Sequence, residues 1–287
     1  MGTPHKHIRK PAVAGFFYPS DKKSLIKSIE ECFKHTLGPR DLPSVNKRGS
    51  RRIIGLVCPH AGYMYSGPVA AHAYYMLAKD GIPKSFIILG PNHQGIGSVI
   101  ATVSSGLWET PLGHIKINEE LAKRIVKLSG ILDIDEEAHI YEHSIEVQLP
   151  FLQYLYGDKF TIVPITMLMQ DLESSTILGR AIAKAIKDEN VVIIASTDFT
   201  HYEPHESAKR KDTEAIKCIL RLDPEDLYRV VSSMNITMCG VGPVMTMLVA
   251  AKELGASVAY LLKYATSGDI TGDLSQVVGY GAIAIMR

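Results

Sequence analysis

The sequence of 287 residues predicts a single α/β domain spanning residues 1–287, with a central, mixed β-sheet flanked by helices. Two observations carry this prediction. Short apolar runs rich in β-branched residues recur along the chain, and amphipathic stretches with helical spacing separate them. In addition, no internal repeat, low-complexity tract or shift in composition marks a second domain.

Six runs have the length and apolar character of buried strands. They span residues 52–58, 85–89, 160–165, 191–195, 258–262 and 277–285. Between Gly97 and Ile117 the pattern changes to alternating apolar residues on either side of a turn-like segment, which predicts a hairpin-like excursion. A hairpin inserted among parallel strands would make the sheet mixed.

Helices are predicted between these strands from their capping residues and spacing. One follows Ser20, one begins after Asn118, and one opens at Asp223, because Pro224 suits the first helical position. Three more are predicted from the stretch 178–186, from a start near Pro68 and from the segment after Cys239. The basic, proline-rich segment 37–52 is predicted to be a solvated loop rather than a binding patch.

Composition excludes several classes of function. A formal net charge of +1 provides no electrostatic footprint for nucleic acid or an anionic bilayer. No apolar run approaches the roughly 18 to 20 residues of a membrane span, and residues 1–6 lack a signal-peptide core and a myristoylation signal. We therefore expect a cytoplasmic protein. Its four cysteines are scattered and should be free thiols.

Two histidines follow predicted strands directly. His60 comes after the run 52–58, and His93 comes after the run 85–89 beside glycine and proline. Ligands of open α/β sheets bind outside the carboxyl ends of the strands, so both imidazoles are predicted to face one crevice. Taken singly, each histidine is also consistent with an ordinary loop residue.

Cys239 stands in a loop that is predicted to enter a helix. The partial positive charge at a helix N-terminus lowers the pKa of a thiol, and a nearby metal lowers it further. Two imidazoles and a thiolate suit zinc, copper or iron, and they leave a coordination position open for water or substrate. The alternative for Cys239 alone is a buried, inert cysteine.

Asp198 and His201 follow another predicted strand. Their spacing of three allows a single turn to place them together, and a histidine oriented by a carboxylate is a suitable general base near neutral pH. The alternative is an aspartate that caps a helix beside a surface histidine. We assign the two residues a catalytic role.

Three further segments supply candidate substrate contacts. Glu142 and His143 lie in a segment that looks like a metalloprotease helix but lacks the second histidine required by that motif. They are predicted to contact the pocket or its ligands, with a solvent-facing helix start as the alternative. Tyr65, close to His60 in sequence, is assigned to substrate binding. Ser267 and Asp269 are predicted to close the crevice, although Ser-Gly-Asp is also ordinary turn chemistry.

Seven motifs stand in order along the chain, namely PAVAGFFYP at 11–19, PHAGYMYSG at 59–67, GPNH at 90–93, EHSIE at 142–146, and the segments 196–201, 236–243 and 264–269. Together they resemble the MEMO family, which is named for a role in receptor-driven cell motility. The match extends over essentially the whole chain. Seven motifs in a fixed order form a highly specific signature.

The resemblance implies a fold similar to the catalytic subunit of class III extradiol dioxygenases, which are non-haem iron enzymes that open catechol rings. It also implies that His60, His93 and Cys239 are metal ligands, and that Asp198 and His201 complete the pocket. Those dioxygenases hold ferrous iron with two histidines and a carboxylate, whereas Cys239 stands in place of the carboxylate here. Because a thiolate changes redox behaviour and metal preference, fold similarity alone does not establish ring cleavage.

Three functions are therefore expected as alternatives. The first is a redox enzyme of dioxygenase type that uses a divalent metal, iron before copper or zinc, with His201 moving protons. The second is a non-catalytic module that binds metal and a small-molecule or peptide ligand in a signalling or radical-SAM-linked pathway. The third is a zinc hydrolase. The resemblance also implies radical S-adenosylmethionine and AMMECR-type proteins as partners, and a homo-oligomer would be unsurprising.

Overall fold

A computed structural model describes residues 7–287, so the predictions made for residues 1–6 lie outside the described residues. The strands are β1 (Ile8–Arg9), β2 (Ile53–Cys58), β3 (Ser85–Pro91), β4 (Ile100–Thr102), β5 (Leu107–Thr110), β6 (Gly113–Ile117), β7 (Asp133–Ile134), β8 (Thr161–Met167), β9 (Val191–Ser196), β10 (His201–Glu203), β11 (Val258–Thr266) and β12 (Val277–Met286).

The helices alternate with these strands, as the sequence predicts. They are α1 (Lys22–Lys34), α2 (Tyr63–Asp80), α3 (Glu119–Ser129), α4 (Glu137–Ile140), α5 (Leu149–Tyr156), α6 (Leu172–Ile186), α7 (His205–Leu220), α8 (Pro224–Ser233), α9 (Val241–Glu253) and α10 (Ser267–Thr271). A 3₁₀ helix over Glu146–Gln148 precedes α5.

Within residues 7–287, the twelve strands form one mixed sheet. Its centre is parallel, in the order β8-β3-β9-β2. Strand β12 pairs antiparallel to β2 and carries β11 and β10 in antiparallel pairing. The predicted excursion is the antiparallel hairpin of β5 and β6. The α/β class, the mixed sheet and all six predicted strand runs are therefore confirmed.

Helices cover both faces of the sheet because the central strands are apolar on both sides. In β2, Val57 packs into one buried cluster with α3, α6, α7, α8 and α9, whereas Leu56 packs into the other with α1, α2 and α5. Strand β3 divides in the same way, with Ile87 on the first face and Ile88 on the second. A strand buried on both faces is a continuous apolar run, which is the pattern that predicts it.

The predicted helix starts are confirmed where a polar side chain caps the helix. Asn118 accepts a hydrogen bond from the backbone of Leu121, and Asp223 caps α8 with Pro224 at its first position. Helix α1 uses Asp21 as its cap, one residue beyond Ser20. Each cap accepts from a backbone N–H that has no partner within its helix.

Helix α2 begins at Tyr63, so the prediction of a start near Pro68 is wrong. The N–H of Tyr63 donates to the carbonyl of Phe17 at 2.8 Å, and Pro68 lies inside the helix. Proline favours the first helical turn, but here a hydrogen bond from a distant segment determines where the helix starts. This hydrogen bond to Phe17 cannot be predicted from the sequence of α2 alone.

Three parallel strands deliver the predicted site residues to the same edge of the sheet. His60 lies two residues after β2, His93 lies two residues after β3, and Asp198 lies two residues after β9. Segment 37–52 contains neither helix nor strand, as predicted, and all four cysteines are free. Among the described residues, no helix is both long enough and apolar enough to cross a membrane.

Candidate metal centre

The structure brings the three predicted ligands together. One ring nitrogen of His60, one of His93 and the Sγ atom of Cys239 lie within 4.8 Å of one another. The loop before α9 carries Cys239 to the edge of the sheet, where its carbonyl accepts from the side chain of Gln170 at 2.9 Å. The three residues therefore form a candidate metal-ligand cluster.

His60 forms the buried side of this cluster. Only 2% of the residue is exposed; its Nδ1 lies 2.9 Å from the Ser196 hydroxyl and its Nε2 lies 3.3 Å from Cys239 Sγ. Burial lowers the pKa of His60 well below its usual value, and the neighbouring histidines lower it further. The ring is therefore neutral, which is the form that binds metals.

His93 forms the open side, with 29% of its side chain exposed. Its Nδ1 lies 2.9 Å from a carboxylate oxygen of Glu142, and its backbone N–H donates to the other oxygen at 2.5 Å. Burial alone would raise the pKa of Glu142, but the hydrogen bond and charge of His93 help to lower it to about 2. The ionised carboxylate accepts a hydrogen bond from the Nδ1–H group of His93, so the lone pair of Nε2 is free to bind a metal.

Glu142 is buried in the irregular segment before the 3₁₀ helix, which excludes the solvent-facing helix start. Its oxygens also accept from the backbone N–H groups of His143 and Ser144. A second possible ligand group consists of His93, Glu142 and His143. Because four N–H donors already occupy the carboxylate, we assign Glu142 to orienting His93 rather than to binding an ion.

The pKa of the Cys239 thiol is raised in this structure, not lowered as a helix N-terminus alone would predict, and lowering by a nearby metal stays a prediction. Burial raises the pKa of Cys239, and the nearby carboxylate of Asp198 raises it further. Hydrogen bonds from the backbone of Asp198 and from Thr197 lower this pKa by less, and the first helical residue of α9 is Val241, two residues further on. Sγ nevertheless accepts a hydrogen bond from the backbone N–H of Asp198 at 3.2 Å, a contact that would stabilise a thiolate.

Asp198 lies beside the cluster, whereas His201 is oriented by another partner. An Asp198 oxygen accepts from the backbone N–H of His60 at 2.9 Å, and burial raises the pKa of Asp198 to about 6. The single turn that the spacing of Asp198 and His201 allows is not formed, because residues 198–200 form a loop and His201 begins β10. The Nδ1 atom of His201 lies 2.9 Å from the carbonyl of Thr237. A carbonyl only accepts, so Nδ1 carries the proton and Nε2 is free to act as a base.

His143 lies next to the cluster, and Tyr65 lies in the neighbouring helix α2, two residues after its start. The ring of His143 stacks on His93 with 4.6 Å between centroids, and it lies 5.5 Å edge-on to His60. Burial and the adjacent His93 lower the pKa of His143 to about 4, against the attraction of Glu142. Tyr65 is partly exposed in the first turn of α2. His143 can therefore contact a molecule that enters from the side of His93, whereas substrate contact by Tyr65 stays a prediction.

Ser267 and Asp269 occupy the start of α10, where each has a structural partner. The carboxylate of Asp269 accepts from the backbone N–H of Thr266 at 2.7 Å and completes a capping box. The hydroxyl of Ser267 accepts from the backbone of Val278 at 3.0 Å. The turn chemistry that the sequence left open as an alternative is therefore present, and substrate contact by these two residues stays a prediction.

The sequence analysis did not identify Glu146, which attaches the N-terminal segment to the site. Glu146 is fully buried and pairs with Arg9, and its carboxylate accepts from the Tyr18 hydroxyl at 2.5 Å. This attachment holds Phe17 against His143, with 4.7 Å between the centroids of the two rings. The last residue of the EHSIE motif was visible in the sequence, but its partners lie more than 120 residues away.

The fold and the site together define a three-layer α/β protein with a candidate metal centre of two histidines and one cysteine at the carboxyl edge of its parallel strands. The family described as Memo-like protein matches residues 9–284. The chain therefore belongs to the Memo family, and the family resemblance predicted from the sequence is confirmed.

Similar proteins support this assignment. A MEMO1 family protein of Methanopyrus kandleri is 54% identical over 281 residues, which cover 97% of this chain and 99% of that protein. A MEMO1 family protein of Methanothermobacter thermautotrophicus is 52% identical over 279 residues, covering 96% and 100%. The crystal structure of an uncharacterized protein from Escherichia coli K12 covers 81% of this chain and 99% of its own, with a TM-score of 0.57 and 15% identity. At that identity the likeness concerns the fold alone.

Proposed function

We propose that this protein holds one divalent metal ion through His60, His93 and Cys239 and uses it for redox chemistry on a small aromatic or phenolic substrate. The observation that carries the proposal is the convergence of the three ligand atoms within 4.8 Å. Iron is the favoured ion, with copper or zinc as alternatives, because two imidazoles and a thiolate suit all three. Three protein ligands leave a position for substrate.

The residues fit such an ion in spacing and in protonation. Bond lengths of about 2.0–2.3 Å place the ligand atoms of a tetrahedral ion about 3.3–3.8 Å apart. The separation of 3.3 Å between His60 Nε2 and Cys239 Sγ agrees with that range. His60 is neutral, and the Nδ1 proton of His93 is directed to Glu142. A bound cation would favour the thiolate of Cys239 despite its raised pKa.

The surrounding side chains supply the remaining steps. A bound metal would supply Lewis acidity and electron transfer at the open position. His201, with its Nδ1 proton donated to Thr237, presents Nε2 to take a proton from a substrate hydroxyl. His143 and Phe17 form an aromatic wall against which a planar substrate would stack. Asp198, next to His60, would stabilise a proton or positive charge at this edge.

The first experiment measures bound metal after anaerobic purification. We expect iron, copper or zinc at about one ion per chain in the native protein, and a loss of that ion in Cys239→Ser and in His93→Ala. The matched controls are Cys218→Ser, a buried cysteine in α7, and His114→Ala, an exposed histidine in the β5–β6 hairpin. Unchanged occupancy in both ligand variants would show that the proposed ligand set is incorrect.

The second experiment tests catalysis. Oxygen consumption with catechols is measured for the metal-loaded native protein and for His201→Ala over a range of pH. We expect turnover in the native protein and, in the variant, a lower rate whose pH dependence has lost one ionisation. If the pH profile of His201→Ala matches that of the native protein, His201 is not the base.

A second candidate function is a ligand-binding module without turnover. It is favoured by exposed aromatic side chains beside residues of the site, namely Phe16 at 86% exposure and Tyr202 at 72%. Such side chains bind apolar or peptide ligands without requiring chemistry. A tightly metallated protein that binds a phenol but consumes no oxygen would favour this function. The partners implied by the family resemblance, the homo-oligomer and zinc hydrolysis stay predictions.

A further inference from the structure

The hydroxyl of Ser196 has three polar partners, and together they determine where its hydrogen lies. Ser196 Oγ is fully buried and lies 2.7 Å from the carbonyl of Ser144, 2.8 Å from Nε2 of Gln148 and 2.9 Å from Nδ1 of His60. A hydroxyl has one hydrogen and a carbonyl can only accept. The Ser196 hydrogen therefore points to Ser144, and the lone pairs of Ser196 face the other two partners.

The amide of Gln148 can adopt only one orientation in this network. Its Oε1 accepts from the hydroxyl of Tyr74 at 2.5 Å, and its Nε2 donates to the carbonyl of Pro59 at 3.0 Å. The second N–H of the amide then donates to Ser196. If the oxygen and nitrogen of the Gln148 amide were exchanged, Oε1 would face the carbonyl oxygen of Pro59, and two acceptors would be in contact. Gln148 thus holds both the backbone before His60 and the hydroxyl next to its ring.

From these contacts we infer that Ser196, held by Gln148, is a positioning residue that keeps His60 in the tautomer with its proton on Nδ1. In this tautomer the lone pair of Nε2 faces Cys239. In the opposite tautomer Nδ1 of His60 would have to accept a hydrogen bond from the Ser196 hydroxyl. The buried carbonyl of Ser144 would then lose its hydrogen bond from Ser196. It would also direct an N–H toward the candidate metal position. The consequence for metal affinity rests on the proposed function, whereas the tautomer itself does not.

The tautomer is measured first in the native, metal-free protein by nitrogen-15 NMR of its histidine rings at pH 7.5. His60 is assigned from the signal that disappears in His60→Gln. We expect the coupling pattern of a ring protonated on Nδ1 and unprotonated on Nε2. A His60 ring protonated on Nε2 would overturn the inference, and this measurement requires no variant at position 196 to fold.

The second measurement compares Ser196→Ala with Ser85→Ala. Ser85 is a matched control, because its buried hydroxyl also donates to a carbonyl and accepts from neighbours, but at the opposite end of the sheet. We expect Ser196→Ala to populate the Nε2-protonated tautomer and to bind Co²⁺ about 10- to 100-fold more weakly. Ser85→Ala should retain the native tautomer and affinity even if its stability falls equally.

The outcomes separate this inference from the proposed function. Retention of the Nδ1 tautomer in a folded Ser196→Ala, or Co²⁺ affinity within about twofold of the Ser85→Ala value, would overturn the positioning role. If the native protein binds no Co²⁺ at all, the proposed function fails, and the tautomers of the native and variant proteins still decide the inference.

Discussion

The buried carboxylate of Glu146 secures the N-terminal segment against the site, and we predict that Glu146→Ala lowers the free energy of unfolding by about 3–5 kcal/mol. Besides its ion pair with Arg9, the carboxylate accepts three hydrogen bonds. Their donors are the backbone N–H groups of Ala12 at 2.7 Å and Val13 at 3.0 Å and the hydroxyl of Tyr18 at 2.5 Å. The segment that carries Phe17 to His143 depends on these contacts.

The magnitude follows mainly from the charge left behind. Arg9 is only 6% exposed, and its guanidinium would keep its hydrogen bonds to the carbonyls of His139 and Glu142 but lose its counter-charge. Removing one partner of a buried pair costs about 3–5 kcal/mol, because the other charge stays desolvated. The freed N–H groups of Ala12 and Val13 add less, since both residues are partly exposed and water can replace the carboxylate.

Urea unfolding followed by circular dichroism measures the loss. The matched control is Glu109→Ala, which removes an ion pair of 2.7 Å between Glu109 in β5 and the exposed Lys10 next to Arg9. It should cost less than about 1 kcal/mol. The double variant of Arg9→Ala and Glu146→Ala should lose less than the sum of the single variants, because the second change removes the stranded charge. Equal losses in Glu146→Ala and Glu109→Ala, or strict additivity, would refute this reasoning.

Two further predictions concern buried carboxylates. In Glu142→Gln, the amide that replaces the carboxylate cannot accept hydrogen bonds from all four N–H donors. We therefore expect the affinity for Co²⁺, measured by direct titration, to fall about 10- to 100-fold. Unchanged affinity would contradict the orienting role of Glu142. Asp212 is fully buried, and burial raises its pKa despite hydrogen bonds from Thr200 and Tyr264. Because the pKa of Asp212 is higher in the folded than in the unfolded state, the native protein loses stability as this group ionises with rising pH. In urea unfolding, the free energy of unfolding of Asp212→Asn relative to the native protein should therefore increase from about pH 4 to about pH 7. A difference that stays constant with pH would contradict this prediction.

The fold could be predicted because its central strands are buried on both faces. Such strands are continuous apolar runs, and the flanking helices carry local caps at Asn118 and Asp223. The prediction failed where a distant contact decides the structure. Helix α2 starts at Tyr63 because of the carbonyl of Phe17, which no pattern within the helix encodes.

The ligand cluster could be predicted for a related reason. The position of a residue just past a parallel strand is a local property, and the carboxyl ends of neighbouring strands necessarily meet at one edge. The environment of each ligand is not local. The raised pKa of Cys239 depends on burial and on Asp198, and the orientation of His201 depends on Thr237, so neither could be predicted from the local sequence.

One short segment supplies several buried contacts whose partners could not be read from the sequence. Within residues 142–148, Glu142 orients His93, Glu146 holds the N-terminal segment, and Gln148 holds Ser196 next to His60. Four buried polar side chains in seven residues, these three and Ser144, are costly unless each has a partner, and each of them has partners elsewhere in the chain. The segment resembles a metalloprotease helix because such helices also combine histidine with glutamate. Here, however, its carboxylates and amide act on residues around the cluster, which explains why its spacing matches no metal-binding motif.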